Sequence, residues 1–425
     1  MRRTCPLESK DAHTFPPGPG EPRSDPDPAA TPLGERLLRA LARWSLGRAP
    51  LRFSLADGTC VMDPAEVPVA TVVFRDRATL VRVLLDPEDA FGDAYSSGRV
   101  EVHGDLVAAL EAAYQAVATA PDLGALRRPV GRHTLRTSRL NARRHYDVGN
   151  EFFRLWLDER MVYSCAYFPT PECGLEEAQV AKMDYVCRKL RLRAGETVVE
   201  AGSGWGTLAL HMARRYGVRV TAYNVSAEQV RYARARAARE GLAGLVDFVE
   251  DDYRGIRGPF DAFVSVGMLE HVGTEGYGAL GRVLDGCLAR PHGRGLLHFI
   301  GRDHPRPLNS WIRHRLFPGA SPPTLAQATH GTLEDSGFAV LDVENLRLHY
   351  AATLAHWRRR FDQAEPEIRA RYGEEFVRTW RLYLAGSEAA FRSGWLELFQ
   401  VTFARAGHND VAWTRAGLYD AHAEP

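Results

Sequence analysis

The sequence predicts an α/β protein with a mostly parallel sheet, preceded by a smaller α+β domain. Between residues 180 and 300, apolar runs alternate with amphipathic helical segments, and this alternation requires a parallel sheet. One buried strand also runs directly into a glycine-rich turn at Gly202, Gly204 and Gly206, and a helix follows at once. With 45% apolar and 25% charged residues, the chain of 425 residues can bury a sizeable core, and its length predicts two domains.

The spacing of apolar residues predicts the individual elements. Strands are predicted near 196–201, 218–224, 245–250, 261–267 and 294–300, and helices near 206–217, 226–240 and 276–290. Later strands near 337–344 and 396–405 complete the sheet with an antiparallel edge. The rest of 302–393 is predicted to form mostly helical insertions. Their large apolar side chains are compatible with a tunnel or with plain core: Trp311, Leu316, Phe317, Trp357, Phe361, Phe376 and Trp380.

Composition divides the chain into four parts. Residues 1–30 are rich in proline and glycine and are predicted to be a disordered tail. Residues 31–120 form the small domain, with Leu37, Leu38, Leu41 and Trp44 on one helical face and a strand over 67–74. An arginine-rich linker follows over 121–145. The main α/β domain occupies 146–425.

The linker has two interpretations. Between Asp122 and Asp147 there is no acidic residue but there are seven arginines: Arg127, Arg128, Arg132, Arg136, Arg139, Arg143 and Arg144. They form either a solvated linker or a basic segment that attracts an anionic bilayer by up to ~1 kcal/mol per charge. No nucleic-acid-binding motif accompanies them, so we expect no nucleic acid partner.

The glycine-rich turn predicts a site for a small cofactor, since the helix that follows aims free N–H groups into it. Its Gly-x-Gly-x-Gly spacing is shorter than the dinucleotide fingerprint, and the Gly-Lys-Ser/Thr ending of a phosphate-binding loop is absent. After the next strand, Asn224, Ser226 and Gln229 are neutral candidates for ribose hydroxyls. Alternatively, Ser226 caps the following helix and Gln229 closes a capping box.

Charge and cysteine usage narrow the class of protein. The net charge of +1 gives no global field toward nucleic acid or acidic membranes. The six cysteines show no zinc spacing, which predicts free thiols in a reducing cytosol and no metal site. No run of eighteen apolar residues exists, and no apolar stretch of a signal peptide follows the N-terminus. We therefore expect a cytoplasmic enzyme.

Several motifs resemble those of the cyclopropane-fatty-acyl-phospholipid synthases, which include the mycolic acid cyclopropane synthases. They occur in the family's order over roughly residues 45–408, within the segments 90–98, 102–106, 145–153, 163–168, 200–206, 226–229, 264–273 and 297–301. The resemblance implies an S-adenosylmethionine-dependent methyltransferase (Rossmann-like) sheet with a helical insertion. It also implies that 31–120 engages lipid and that a homodimer is possible.

The resemblance assigns two sets of residues. The cofactor-binding set is Tyr163, Ser164, Glu200, Gly202, Gly204, Trp205, Gly206, Asn224, Ser226, Gln229, Asp251, Asp252 and Tyr253, with Asp251 or Asp252 at the adenine. The catalytic set holds a bicarbonate ion through Glu270, His298 and Tyr350, with backbone groups of Cys165 and Ile300. Without the family, His298 more often would be a core histidine, Glu270 and His271 a surface pair, and Asp251 a turn cap.

The implied reaction transfers a methylene to the cis double bond of a phospholipid acyl chain at the inner membrane surface, with which the enzyme associates reversibly. A carbocation-like species forms and bicarbonate removes a proton to close the ring. Loss of another proton would give a methylene- or methyl-branched chain. The chain departs from the family in Glu200, where aspartate is usual. A non-catalytic lipid-binding protein is therefore a further alternative.

Overall fold

The computed structural model describes residues 49–118 and 148–419. The predicted tail, the predicted helical face at Leu37, Leu38, Leu41 and Trp44, and the linker 121–145 lie outside the described residues. The first part is a four-stranded sheet in the order β2-β1-β3-β4, with β1 parallel to β3. Its strands are β1 (Leu51–Leu55), β2 (Cys60–Met62), β3 (Ala70–Phe74) and β4 (Val100–Gly104). Its helices are α1 (Arg77–Leu85), α2 (Pro87–Ser96) and α3 (Leu106–Ala118).

The strand expected over 67–74 begins only at Ala70. Pro68 has no N–H with which to join a ladder, and Val67 is 88% exposed. The N–H of Val69 bonds to the carbonyl of Pro50 outside the strand. The apolar run therefore predicts the strand but overstates its start by three residues.

The second sheet has seven strands in the order β10-β11-β9-β8-β5-β6-β7. β11 runs antiparallel to β10 and β9, and the other neighbouring strands pair in parallel, which confirms the parallel sheet with an antiparallel strand near one edge. The strands are β5 (Thr197–Ala201), β6 (Arg219–Asn224), β7 (Val246–Glu250), β8 (Ala262–Val266), β9 (Arg294–Gly301), β10 (Phe338–Asn345) and β11 (Glu397–Arg405). Each lies within about one residue of its predicted position.

Helices cover both faces of this sheet. The first of them are α4 (Asn150–Arg154), α5 (Leu175–Leu190), α6 (Thr207–Tyr216), α7 (Ala227–Arg239) and α8 (Tyr277–Cys287). Alternate residues of a strand point to opposite faces of the sheet. Val198 of β5 therefore packs in the hydrophobic core on one face, and Val199 packs in the core on the other. Short 3₁₀ turns occupy Tyr253–Gly255, Leu269–His271, Thr274–Gly276 and Glu334–Ser336.

The insertion after β9 is mostly helical, as predicted. Its helices are α9 (Ser310–Arg315), α10 (Leu325–Thr332), α11 (Arg347–Tyr372) and α12 (Glu374–Arg392), with β10 between α10 and α11; α13 (Ala416–Tyr419) follows β11. The large apolar side chains of the insertion are buried in one cluster, apart from the half-buried Phe317. In this structure they pack as core.

The first sheet rests on this insertion through small and charged contacts. A side chain at Gly92 of α2 would overlap the Trp311 ring, with a Cβ only 2.4 Å from it. Arg378 of α12 donates to the carbonyls of Tyr95 and Val100, at 2.6 and 2.9 Å. Within residues 49–118 and 148–419, no helix is long and apolar enough to cross a membrane.

Candidate active site

A cavity of about 210 Å³ opens beyond the carboxyl ends of β5, β6, β7 and β8, where ligands of such sheets bind. Eleven of the predicted cofactor residues line it: Tyr163, Ser164, Glu200, Gly202, Gly204, Trp205, Asn224, Gln229, Asp251, Asp252 and Tyr253. Gly206 and Ser226 are not among the lining residues. The chain thus brings groups that are 90 residues apart in sequence to one site.

Gly206 allows the glycine turn to pack closely against Phe248, and it is not among the residues that line the cavity. Its φ is +83°, and a Cβ there would stand 2.5 Å from Cζ of Phe248. Gly204 differs, because its φ of +52° is equally left-handed but a Cβ would meet nothing within 4 Å. The geometry gives Gly206 a role in helix–strand packing, and its contact with the cofactor stays a prediction.

Ser226 caps α7 and is not among the residues that line the cavity. Its hydroxyl accepts from the N–H of Gln229 at 3.4 Å. The expected capping box does not close, because Gln229 Oε1 accepts from Asn224 Nδ2 at 2.9 Å instead of bonding the Ser226 N–H. That N–H donates to Asn224 Oδ1 at 3.1 Å. Asn224 also donates to the Gly204 carbonyl, so its amide ties the glycine turn to the start of α7.

The two carboxylates of the acidic turn after β7, Asp251 and Asp252, make different hydrogen bonds. Asp252 is buried and accepts from the N–H of Arg254 at 3.0 Å, which makes it the cap of the 3₁₀ turn. Its side chain also pairs with the Arg254 guanidinium at 3.3 Å. Asp251 accepts from the N–H of Asp252 at 2.8 Å. The capping role foreseen for Asp251 thus falls to Asp252.

Three buried polar atoms of cavity-lining residues have no hydrogen-bond partner in the described structure. They are Glu200 Oε2, Ser203 Oγ and the Tyr253 hydroxyl oxygen. Burial raises the pKa of Glu200 to about 7, although the nearby Lys182 ammonium favours its charged form. Buried polar groups are normally satisfied, so these atoms fit a polar ligand in the cavity.

Lys182 is a lining residue that the sequence analysis missed. It is 2% exposed and donates from Nζ to Ser164 Oγ at 3.0 Å. The pKa of its ammonium falls to about 8, mainly because of burial. A signal was present, because Ala178, Lys182 and Val186 recur every four residues on the buried face of α5. A lysine on such a face is rare unless paired.

Glu270 and His298 lie next to the cavity, on the loop after β8 and on β9. Glu270 is 4% exposed whereas His271 is exposed, so the two do not form a surface pair. The N–H of Ile300 donates to Glu270 Oε1, and Glu270 Oε2 has no hydrogen-bond partner among residues 49–118 and 148–419. Burial raises the pKa of Glu270 to about 7, so a substantial fraction of this carboxyl is neutral near neutral pH.

His298 is buried and neutral. Burial lowers its pKa to about 3, assisted by Lys182 and Lys189. Gln400 Nε2 lies 3.1 Å from His298 Nδ1, and an amide that donates there leaves the ring proton on Nε2. In this arrangement Nδ1 is bonded within the core, and Nε2 can donate a hydrogen bond.

Cys165 lies in the hydrophobic cluster that the insertion helices form, and Tyr350 packs against that cluster. Cys165 is buried, donates to the Ala166 carbonyl at 3.1 Å and has a pKa raised far above its ordinary value by burial, so it is no thiolate. The N–H of Ala166 donates to Thr353 Oγ1 at 3.0 Å, one helical turn from Tyr350. The Tyr350 ring packs on Phe391, with ring centroids 4.5 Å apart. The catalytic roles of all five residues stay predictions.

Comparison with known proteins gives a consistent family. The family model described as mycolic acid cyclopropane synthetase matches residues 133–401. A probable fatty acid methyltransferase of Pseudomonas putida is 37% identical over 385 residues, 87% of this chain and 96% of that protein. The cyclopropane-fatty-acyl-phospholipid synthase of Escherichia coli K12 is 39% identical over 272 residues, 64% of this chain and 69% of that protein.

A solved structure gives the same fold. The crystal structure of the mycolic acid cyclopropane synthase CmaA1 in complex with SAH and CTAB has a TM-score of 0.60 and 31% identity. The match covers 63% of this chain and 98% of that one. The S-adenosylmethionine-dependent methyltransferase fold that the motifs implied is thereby confirmed.

Proposed function

This chain belongs to the mycolic acid cyclopropane synthetase family and to the S-adenosylmethionine-dependent methyltransferases, and we propose that it forms cyclopropane rings in phospholipid acyl chains. Its substrates would be S-adenosylmethionine and the cis double bond of an unsaturated chain. The observation that carries the proposal is the pair of buried groups Glu270 and His298 beside the cavity. Both are tuned by burial away from the protonation states they would have in water.

The cavity fits S-adenosylmethionine in its distribution of polar groups. The strands β5, β6 and β7 lie side by side, so the acidic turn after β7 is roughly 10 Å from the glycine turn after β5. Asp251 and Tyr253 would meet the adenine, Asn224 and Gln229 the ribose hydroxyls, and Glu200 the methionine end. The solved CmaA1 complex holds SAH, which supports the same ligand here. When bound, the sulfonium supplies the methyl group.

The rim of the cavity supplies a dry, aromatic surface for the alkene. Tyr163, Trp205 and Phe317 line it, and the Tyr163 hydroxyl lies 2.8 Å from that of Tyr383. An isolated alkene is a weak nucleophile, so holding it in line with the methyl donor without water provides much of the rate enhancement. The nearby Tyr350 ring would stabilise the carbocation-like species through its π face without trapping it.

The residues predicted to be catalytic also include buried polar groups that would suit a bicarbonate ion. Glu270 Oε2 is a buried carboxyl oxygen without a hydrogen-bond partner in the described part of the chain, and His298 would donate from Nε2. A protonated Glu270 donates a hydrogen bond to an anion, whereas two bare anions would repel. Glu270, His298 and Tyr350 would hold the ion, with backbone groups of Cys165 and Ile300. When bound, the ion would accept the proton whose loss closes the ring.

A second candidate is a sibling reaction that leaves a methylene or methyl branch. The similarity over 87% of this chain to a probable fatty acid methyltransferase favours it specifically. The two reactions share the methyl transfer and the cationic species. They differ in which proton the cationic species loses, so the same residues serve the methyl transfer in both. A saturated methyl branch would in addition need a hydride donor from outside this chain, which reduces the methylene product.

We further propose that the enzyme meets its lipid at the cytoplasmic membrane surface. The arginines of 121–145 would associate reversibly with anionic headgroups, and residues 31–120 would engage the lipid. A homodimer would present two such surfaces to one membrane and strengthen the association.

The test is to incubate the purified protein with liposomes of cis-unsaturated phospholipid, bicarbonate and S-adenosylmethionine. Released fatty acids are analysed by mass spectrometry and proton NMR. A gain of one CH₂ with upfield cyclopropyl protons supports the proposal. The same mass with vinylidene protons favours the sibling enzyme. No product despite measured SAH binding would contradict cyclopropanation of this lipid, whereas a protein that binds no SAH would favour the lipid-binding alternative.

A further inference from the structure

One turn of α5 holds the segment that borders the cavity over residues 162–164. Gln179 Nε2 donates to the Ser164 carbonyl at 2.9 Å, and Lys182 Nζ donates to the Ser164 hydroxyl at 3.0 Å. The start of the segment is held by Asp158, whose carboxylate accepts from the N–H of Val162 at 2.8 Å. Two neighbouring side chains of one helix therefore act on the same serine, one on its backbone and one on its hydroxyl.

The bond from Lys182 fixes what the Ser164 hydroxyl can do. An ammonium only donates, so the hydroxyl oxygen accepts from Lys182. A serine hydroxyl has a single proton, which must then be directed away from Lys182. Ser164 is half-buried and lines the cavity. A hydroxyl polarised by a buried cation is also a stronger donor than an isolated one.

Charge indicates which part of a ligand lies here. The carboxylates after β7, Asp251 and Asp252, line one end of the cavity, and Lys182 lines the end near β5 together with Glu200. In S-adenosylmethionine the one anionic group is the methionine carboxylate, and the α-ammonium is beside it. A hydroxyl donor backed by a cation suits the carboxylate, and Glu200 suits the ammonium.

We infer that Lys182 is a positioning residue that makes Ser164 a hydrogen-bond donor to the carboxylate of the bound methyl donor. This inference rests on the proposed function, since it assumes that the cavity holds S-adenosylmethionine. Lys182 acts on the ligand through Ser164. It therefore sets selectivity for a ligand that carries an amino-acid end.

The experiment measures affinity by isothermal titration calorimetry for SAH and for its analogue that lacks the carboxylate. Wild type is compared with Lys182→Met, Ser164→Ala and the double variant. We expect Lys182→Met to weaken SAH binding about tenfold or more, as for a hydrogen bond to a charged group. The affinity for the analogue should change less than twofold. Lys182→Met should have little further effect on SAH affinity in the Ser164→Ala background.

Gln179→Met is the matched control, because Gln179 holds the same segment through its backbone. If Lys182 only supports the segment, Lys182→Met will weaken both ligands alike, as the control does, and the inference is overturned. Additive effects of Lys182→Met and Ser164→Ala would overturn it too. Failure of wild type to bind either ligand would instead refute the proposed function, so the two failures are distinguishable.

Discussion

The cofactor cavity and the Glu270–His298 pair lie side by side but are built on different physical principles. The cavity presents many polar groups, and several of them are bonded to one another, as Asn224 is to Gln229 and Gly204. The pair presents two fully buried titratable groups, each with few bonds and a displaced pKa. Binding can be shared among many weak contacts, whereas moving a proton depends on one or two tuned groups. Substitutions should therefore affect the two regions unequally.

The largest expected effect separates chemistry from binding. Glu270→Gln should lower the rate of product formation by about 10²–10⁴-fold, the range for a group that positions proton transfer. SAH affinity should stay within about twofold, because Glu270 does not line the cavity. Glu275→Gln, an exposed acid on the next 3₁₀ turn, is the control. Steady-state kinetics and calorimetry measure both quantities. Equal losses of rate and affinity would show that the two regions are one site.

The same residue gives a pH prediction for stability. Burial raises the pKa of Glu270 from 4.5 to about 7, so the folded protein keeps a proton that the unfolded chain loses. This contribution is complete below pH 4.5 and is lost as the pH rises through 7. Between pH 5 and pH 8 the wild type should lose about 2 kcal/mol relative to Glu270→Gln, which does not titrate. Denaturant unfolding at the two pH values measures the gap, and a constant gap would contradict a buried carboxyl.

Two glycines of the turn sharpen the contrast between packing and binding. Gly206→Ala places a Cβ 2.5 Å from Phe248, so it should cost about 2–4 kcal/mol of stability through strain and overpacking. Gly204→Ala meets open space and should cost about 1 kcal/mol for its left-handed backbone. SAH affinity should fall with Gly204→Ala, because Gly204 lines the cavity. Thermal unfolding and calorimetry check both, and equal destabilisation would contradict the assignment of Gly206.

Much of the fold is predictable from the sequence because strand and helix periods are local. The seven strands of the main sheet lie within about one residue of prediction, since each is a short apolar run ended by a turn. The start of β3 was misplaced because Pro68 interrupts hydrogen bonding without interrupting hydrophobicity. Local patterns therefore locate an element better than they locate its ends.

The site was less predictable, because its side chains choose partners that are distant in sequence. The motifs predicted eleven of the residues that line the cavity. They did not predict Lys182, because its partner Ser164 lies eighteen residues away and outside its helix. Gln229 has the capping-box position, yet it bonds Asn224, which the spacing alone does not reveal. The burial of Glu270 likewise depends on β9, through Ile300. Tertiary contacts, more than propensity, decide what such residues do.

The smallest expected effect tests whether Ser226 belongs to the cavity or to the helix. Ser226→Ala removes the N-cap of α7 and should cost about 1 kcal/mol of stability. SAH affinity should remain within about twofold, because Ser226 does not line the cavity. Ser226→Asp is the matched control, since aspartate restores a cap and should recover the lost stability. If Ser226→Ala weakens SAH binding tenfold at unchanged stability, the hydroxyl contacts the ribose and the helix cap is secondary.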